Sequence, residues 1–167
     1  MKTRTQKIVL SAMFAALTCV ATMIIKIPSP LKGYINIGDS IVLLAGWTLS
    51  PVYGIAAAGI GSCLADIFSS YVLYAPATFL IKALMAFSAY YIFKILKNRT
   101  KNLVARIISG VLAEAVMIIG YFIFEGFLYG FYPSLVNSPA NAVQGVAGII
   151  LGTILIKVFE KNKISLL

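Results

Sequence analysis

Ser40-Ile-Val-Leu-Leu-Ala-Gly-Trp-Thr-Leu-Ser50-Pro51-Val-Tyr-Gly-Ile-Ala-Ala-Ala-Gly-Ile-Gly-Ser-Cys-Leu-Ala65 is the stretch that decides how the chain is threaded. It carries no charge and is long enough for one membrane-crossing helix, which needs about 20 mainly apolar residues. Ser50-Pro51 lies in its middle. Proline has no N–H to donate and pushes the residue before it out of helical conformation. The stretch is therefore either one kinked helix or two short ones joined by a tight turn.

Charge decides between the two. Four further stretches are long and apolar enough to span. If the Ser50-Pro51 break separates two helices and the N-terminus is cytoplasmic, Lys2, Arg4, Lys7, Lys94, Lys97, Arg99, Lys101, Arg106, Lys157, Lys161 and Lys163 all fall on the cytoplasmic side. Only Lys26 and Lys32 lie outside, with Lys82 inside a span. One unbroken helix would reverse every later loop and leave three cations inside and ten outside. Because Lys and Arg concentrate on the cytoplasmic side of membrane proteins, two helices are expected. The sequence thus predicts an all-α integral membrane protein, a bundle of six transmembrane helices with N- and C-termini cytoplasmic. Its single membrane domain covers 1–167, with spans at about 8–26, 39–49, 52–66, 77–96, 103–125 and 139–159. The second and third are short for a bilayer. Gly54, Ala56, Ala57, Ala58, Gly59 and Gly61 on the third allow close backbone approach, which places that helix inside the bundle.

Composition supports the membrane. Of 167 residues, 60% are apolar and 11% charged, too few charges to cover a soluble core of this size. The net charge of +9 is accounted for by topology, since the cations flank apolar runs and form no basic face interleaved with aromatics. Nucleic acid is not an expected partner; the lipid bilayer is. The basic N-terminus before an apolar run resembles a signal peptide, but the run is too long and lacks a convincing cleavage site, so a retained first span is expected. Cys19 and Cys63 lie in apolar stretches and read as small buried hydrophobes, not a disulfide or metal framework.

Ionisable groups within spans are costly and mark function by default. Lys82 is six residues past Pro76, about 9 Å below the helix end; it either snorkels to the surface or contacts a ligand. Glu114 falls mid-span, about 12 Å from Arg106 by the same rise, and needs a partner, a proton or water. Lys82 is the basic candidate for that partner. Asp39 stands at a helix start, where capping explains it. Asp66 closes the third helix, where a carboxylate opposes the helix dipole, so a site or loop-anchoring role is expected. Asn137, Asn141 and Gln144, spaced by four and three, share a helix face. They either bond helices together or line a cavity.

Tyr34, Tyr71, Tyr74, Tyr121, Phe127, Tyr129, Phe131 and Tyr132 map to the same outer side, most as an interfacial belt, with room for one or two to stack on a flat heterocycle. Gly33-Tyr34-Ile35-Asn36-Ile37-Gly38 has the glycine brackets of a movable flap. The expected substrate-binding set is Tyr34, Asn36, Asp66, Tyr74, Lys82, Glu114, Asn137, Asn141 and Gln144. No histidine and no phosphate-binding G-x-x-x-x-G-K-[ST] loop is present. Catalytic residues, metal ligands and cofactors are therefore not expected.

The order of features resembles the substrate-binding S components of energy-coupling factor (ECF) vitamin transporters. The resemblance is carried by Ala12-Met-Phe-Ala-Ala16, the loop Gly33 to Asp39, Gly59-Ile-Gly61-Ser-Cys-Leu-Ala-Asp66 and Tyr74-Ala-Pro76-Ala-Thr-Phe-Leu-Ile-Lys82, and it covers nearly the whole chain. It implies a bundle of six helices binding one vitamin between its outer loops and its last three helices. Its implied partners are a transmembrane T component, met at Ala12 and Ala16, and two cytoplasmic ATPases. The implied location is the bacterial plasma membrane. The ligand expected is a small B-type vitamin or precursor, pyridoxine- or hydroxymethylpyrimidine-like, with riboflavin as the alternative. A non-transport membrane scaffold, whose polar residues only bond helices, and an autonomous channel or exporter are the competing classes.

Overall fold

The structure is a computed structural model that describes residues 3–29 and 33–162. Lys2, Lys32 and Lys163 of the charge count lie outside the described residues. Six helices follow one another: α1 (Arg4–Ile24), α2 (Gly38–Thr48), α3 (Pro51–Phe68), α4 (Ala75–Leu96), α5 (Asn102–Tyr129) and α6 (Phe131–Lys161). A small antiparallel hairpin, β1 (Ile27–Pro28) and β2 (Tyr34–Ile35), joins α1 to α2. This hairpin is an addition to the expected all-α class, and it turns the glycine-bracketed segment into a paired cover.

The Ser50-Pro51 break falls where the sequence placed it. α2 stops at Thr48, and Pro51 opens α3 in its first turn, where an absent N–H leaves no helical bond unmade. The chain can fold back sharply because a Cβ on Gly54 would sit 2.9 Å from the carbonyl oxygen of Ala45. Gly61 lets α3 press against α1 in the same way, where a Cβ would lie 2.4 Å from the Ala15 carbonyl oxygen. The small residues of α3 make the expected close contacts, but the helix is not enclosed: Val52 and Phe68 face outward, and α2 takes the central place instead.

α2 is the axis of the molecule. Every residue from Gly38 to Trp47 is buried, as suits a helix apolar on all sides, and it packs against α1, α3, α4 and α6. Trp47 donates its indole N–H to Ser109 on α5 at 2.9 Å. With 11 residues α2 rises about 16 Å, half of a hydrocarbon core of about 30 Å. The other five helices are long and apolar enough to cross a membrane. Their outward faces carry large apolar side chains, such as Met13 and Val20 on α1, Leu80 and Leu84 on α4, and Val143 and Val146 on α6. So apolar an exterior suits lipid rather than water.

One expectation needed correction at the far end of the chain. Residues between the predicted fifth and sixth spans, at about 126–138, are helical rather than loop, apart from Gly130. A single glycine at φ +96° makes the corner, a conformation favourable only to glycine. The short turn is held by Ser134, whose hydroxyl donates to the Phe122 carbonyl at 2.8 Å, and by Asn137, which bonds Glu125. Pro139 is carried inside α6, as proline can be in a membrane helix with neighbours to support it. Cys19 is buried and Cys63 partly so, and both are free thiols.

Candidate functional site

A polar cleft opens at the hairpin end of the bundle, with an empty volume of about 490 Å³ including its open mouth. Among the described residues sixteen line it, drawn from α1, the hairpin segment, α3, the α3–α4 turn, α4, α5 and α6. Eight of the nine expected binding residues are among them: Tyr34, Asn36, Asp66, Tyr74, Lys82, Asn137, Asn141 and Gln144.

The floor of the cleft is one connected polar network. Lys82 on α4 forms a buried ion pair with Asp39 on α2. Asp39 Oδ2 also accepts from Gln144 Nε2 on α6 at 2.7 Å. Gln144 Oε1 in turn accepts from the backbone N–H of Asn36 at 2.9 Å and from its side-chain amide at 3.2 Å. Asn36 Oδ1 closes the chain by accepting from the Gly38 N–H at 2.9 Å, which caps α2. Two helices, the hairpin segment and the central helix are therefore tied through one carboxylate. Both charges of the pair are within hydrogen-bonding contact, which is what makes them tolerable in a buried place.

This corrects two readings. Asp39 is not a helix cap, because the side chain makes no cap bond and Asn36 supplies the one that exists. Lys82 pairs with Asp39, not with Glu114. Glu114 is buried at 3% exposure, does not line the cleft, and has neither carboxylate oxygen bonded among the described residues. It is wedged between α5 and α6 against Gly145 and Gly148, in electrostatic reach of Asp39 and Lys82.

The walls are aromatic and acidic. Tyr34 on β2 donates its hydroxyl to Asp66 Oδ1 at 2.7 Å, and Asp66 also anchors the following turn, its carbonyl accepting from Tyr71 N–H at 2.8 Å. The anchoring contact of Asp66 is thus made by its backbone, while its carboxylate faces the cleft. Burial, reinforced by the adjacent Asp66, pushes the Tyr34 hydroxyl above its ordinary range, so it stays a donor. Tyr71 packs against Tyr34 with ring centroids 4.7 Å apart and ring planes tilted by 53°, and Lys82 lies 5.5 Å from the centre of the Tyr121 ring. Opposite, Glu125 accepts from Asn137 Nδ2 with both oxygens at 2.9 Å and from the Tyr74 hydroxyl at 3.5 Å. Tyr34, Tyr71, Tyr74 and Tyr121 belong to the cleft, whereas Phe127 and Tyr132 point outward at 79% exposure each.

Four buried side-chain atoms along the cleft, Ser62 Oγ, Asp66 Oδ2, Asn137 Oδ1 and Asn141 Nδ2, have no hydrogen-bond partner among the described residues. Leaving a buried polar atom unpaired costs about 1–3 kcal/mol. Set toward one cavity, these four atoms suit a ligand that supplies the missing partners.

Comparisons with known proteins bear on the family and the fold. A model of the family described as ECF-type riboflavin transporter, S component, matches residues 2–161. The chain belongs to this family of S components. A solved S component of a bacterial ECF transporter superposes with a TM-score of 0.77, at 27% identity, over 97% of this chain and 99% of that one. A protein of Pyrococcus woesei described as "Uncharacterized protein in gap 3'region" is 33% identical over 134 residues, 80% of this chain and 87% of its own. S components are the substrate-binding subunits of ECF transporters, not enzymes.

Within this S component, sequence reasoning missed Asp39 as the keystone of the floor and Glu125 as a wall. A signal for each was present. Asp39 is an acid in an apolar run, facing a protein with one embedded lysine, and the two needed each other. Glu125 follows Tyr121 by four residues and Glu114 by eleven, spacings that put all three on one face of α5.

Proposed function

We propose that this S component captures riboflavin in the cleft at the hairpin end and delivers it to a T component and two cytoplasmic ATPases for uptake across a bacterial plasma membrane. The observation that carries the reading is the convergence of eight separately expected polar and aromatic residues on one cleft with unpartnered buried atoms. The family description names riboflavin, and the cleft chemistry suits it. Tyrosine faces accommodate a flat ring system, side-chain amides meet a ring edge that both donates and accepts, and Asp66 and Glu125 accept from a hydroxylated chain. Lining groups from so many elements exceed what a single pyridine or pyrimidine ring can touch at once, which favours riboflavin over the smaller vitamins.

In this reading all six helices count as crossings, α2 short and enclosed, and both termini are cytoplasmic, which places the hairpin outside. Ala12 and Ala16 are both exposed, one turn apart on the outward face of α1. Such a small-residue step suits close contact with a helix of the T component.

The test is ligand identification. The protein, purified from its native membrane, is analysed by mass spectrometry for bound small molecules and then titrated with riboflavin, pyridoxine and hydroxymethylpyrimidine. Copurified riboflavin, with the tightest binding of the three, is the expected result. Binding of pyridoxine or hydroxymethylpyrimidine in its place returns the ligand to the smaller vitamins. Binding of none rejects uptake.

A further inference from the structure

Between Asp66 and Glu114 the chain carries six cations, Lys82, Lys94, Lys97, Arg99, Lys101 and Arg106, and no acid. Four of them fall within eight residues, Lys94 to Lys101, at the junction of α4 and α5. Of the chain's five acids, Asp39, Asp66 and Glu125 belong to the hairpin end, and Glu114 is buried within α5. Glu160, at the other end, is taken by Arg106 at 2.6 Å. Lys94 lies over the Tyr90 ring. Lys97, Arg99 and Lys101 are exposed, and among the described residues none of the three has an ion-pair partner. The residues outside the described ones bring no further Asp or Glu.

A short turn fixes how these three are presented. The Leu96 carbonyl closes it, accepting from the Arg99 N–H at 2.9 Å and from the Thr100 N–H at 3.0 Å. α5 then starts at Asn102 with no side-chain cap and no acid in its first turn. The N–H groups of Asn102, Leu103 and Val104 are left without acceptors among the described residues. The start of a helix carries partial positive charge, and a cation beside it is unfavourable unless an anion offsets both. Membrane topology accounts for cations at this end of the bundle, but not for crowding them where the backbone already presents positive charge. Directly beside them Ile95, Leu103 and Val104 expose large apolar side chains, continuous with the outward faces of α4 and α5.

We infer that Lys97, Arg99, Lys101 and the first turn of α5 bind the phosphate of an anionic phospholipid, whose acyl chains lie along Ile95, Leu103 and Val104. The inference is independent of the uptake reading and of the vitamin bound. Arg99 offers the forked donors that suit a phosphate, the two lysines add mobile point charges, and the open N–H groups of α5 donate to the remaining oxygens. A free phosphate would meet the same donors but leave the apolar side chains beside them unused. A lipid fits both at once. A zwitterionic headgroup brings its own cation into the cluster and is repelled by it, so the preference is for a headgroup of net negative charge. The bound lipid holds the α4–α5 turn at the level of the headgroups.

The experiment titrates the delipidated protein in a neutral detergent with phosphatidylglycerol and with phosphatidylethanolamine of the same acyl chains, and counts bound lipid by native mass spectrometry. Phosphatidylglycerol is expected to bind at least about tenfold more tightly, since each Lys or Arg near an anionic lipid surface contributes about fivefold. Lys97→Gln, Arg99→Gln and Lys101→Gln together are expected to bring the two lipids within about twofold of each other. A comparison variant removes the same charge elsewhere at this end, with Arg4→Gln, Lys157→Gln and Lys161→Gln, and is expected to keep most of the preference. All six side chains are exposed, and thermal unfolding checks each variant. If the triple turn variant does not fold, Arg99→Gln alone, expected to narrow the preference about threefold, takes its place. Equal binding of the two lipids by the unsubstituted protein overturns the inference. So does an equal loss in the two triple variants, which would show only a diffuse charge effect. Displacement of phosphatidylglycerol by inorganic phosphate, with chloride at the same ionic strength leaving it bound, gives the site to a free phosphate instead. A turn variant that keeps the lipid preference but no longer assembles with the T component and ATPases gives it to a protein partner.

Discussion

At the scale of single residues, the Lys82–Asp39 pair sets the terms. Removing one member of a buried ion pair leaves an uncompensated charge and costs about 3–5 kcal/mol, whereas removing both charges together costs far less. Lys82→Met leaves Asp39 and Glu114 as two carboxylates in a buried region without their cation. It should lower unfolding stability in detergent micelles by about that amount, and adding Asp39→Asn should recover most of it. A Lys82→Met protein as stable as the unsubstituted one would show that the pair is not formed. Loss of ligand binding in a Lys82 variant is consequently not evidence of ligand contact until stability has been measured beside it. The same residues show what a sequence can disclose. Lys82, Asn141 and Gln144 were legible because a polar group within an apolar span has no cheap local explanation, Asn137 because its spacing puts it on their helix face, and Asp66 because a carboxylate closing a helix opposes the dipole. Asp39 and Glu125 were not, because each stands near a helix end, where capping or solvent exposure explains a carboxylate at no cost. Only the burial of α2 in the centre of the bundle, a matter of packing among distant segments, turns Asp39 into a structural anion.

Among elements, α1 and α3 approach each other closely, backbone against backbone, at Gly61. A Cβ there would meet the Ala15 carbonyl oxygen at 2.4 Å and Thr18 Cβ at 2.8 Å, both on a helix that cannot yield locally. At Gly110 on α5 the nearest atom is Ile149 Cγ1 at 3.2 Å, the movable part of a side chain. Gly61→Ala should therefore destabilise by about 1–3 kcal/mol, the usual cost of overpacking. Gly110→Ala should be close to neutral, because a small side-chain shift is offset by the better helix propensity of alanine. Thermal unfolding of the two variants side by side checks this; equal melting temperatures would contradict the packing. The small-residue run that produces this contact was visible in the sequence, as was the Ser50-Pro51 corner, since both depend on the local chemistry of glycine and proline. The α5–α6 corner was not. Ser134, Asn137, Ser138 and Pro139 have the composition of a loop, and they become helix because Ser134 and Asn137 find partners on α5, which a single sequence does not show.

For the whole molecule, the decisive property is which end faces out, because the cleft can gather an external vitamin only from the hairpin end. The helices fix relative placement. The β1–β2 hairpin, the α3–α4 turn and the α5–α6 corner lie at one end, and the N-terminus of α1 and the α4–α5 turn lie at the other, as alternating helix directions require. In the proposed reading, charge then assigns the ends. Lys94, Lys97, Arg99 and Lys101 crowd the α4–α5 end, whereas Lys26 is the described cation at the rim of the other, and cationic loops stay cytoplasmic. After Cys19 and Cys63 are replaced by alanine, Val72→Cys and Thr100→Cys place one thiol at each end, on exposed positions of the α3–α4 and α4–α5 turns. A membrane-impermeant maleimide applied to intact cells should label Val72→Cys and spare Thr100→Cys, and in inside-out vesicles the pattern should reverse. Counting α2 as a crossing is what makes the two turns fall on opposite sides of the membrane from those a five-crossing chain would give with the same cytoplasmic N-terminus. Labelling of Thr100→Cys from outside would therefore overturn the orientation, and with it the cleft as an entry for an external ligand, while leaving the helix packing and the polar network untouched.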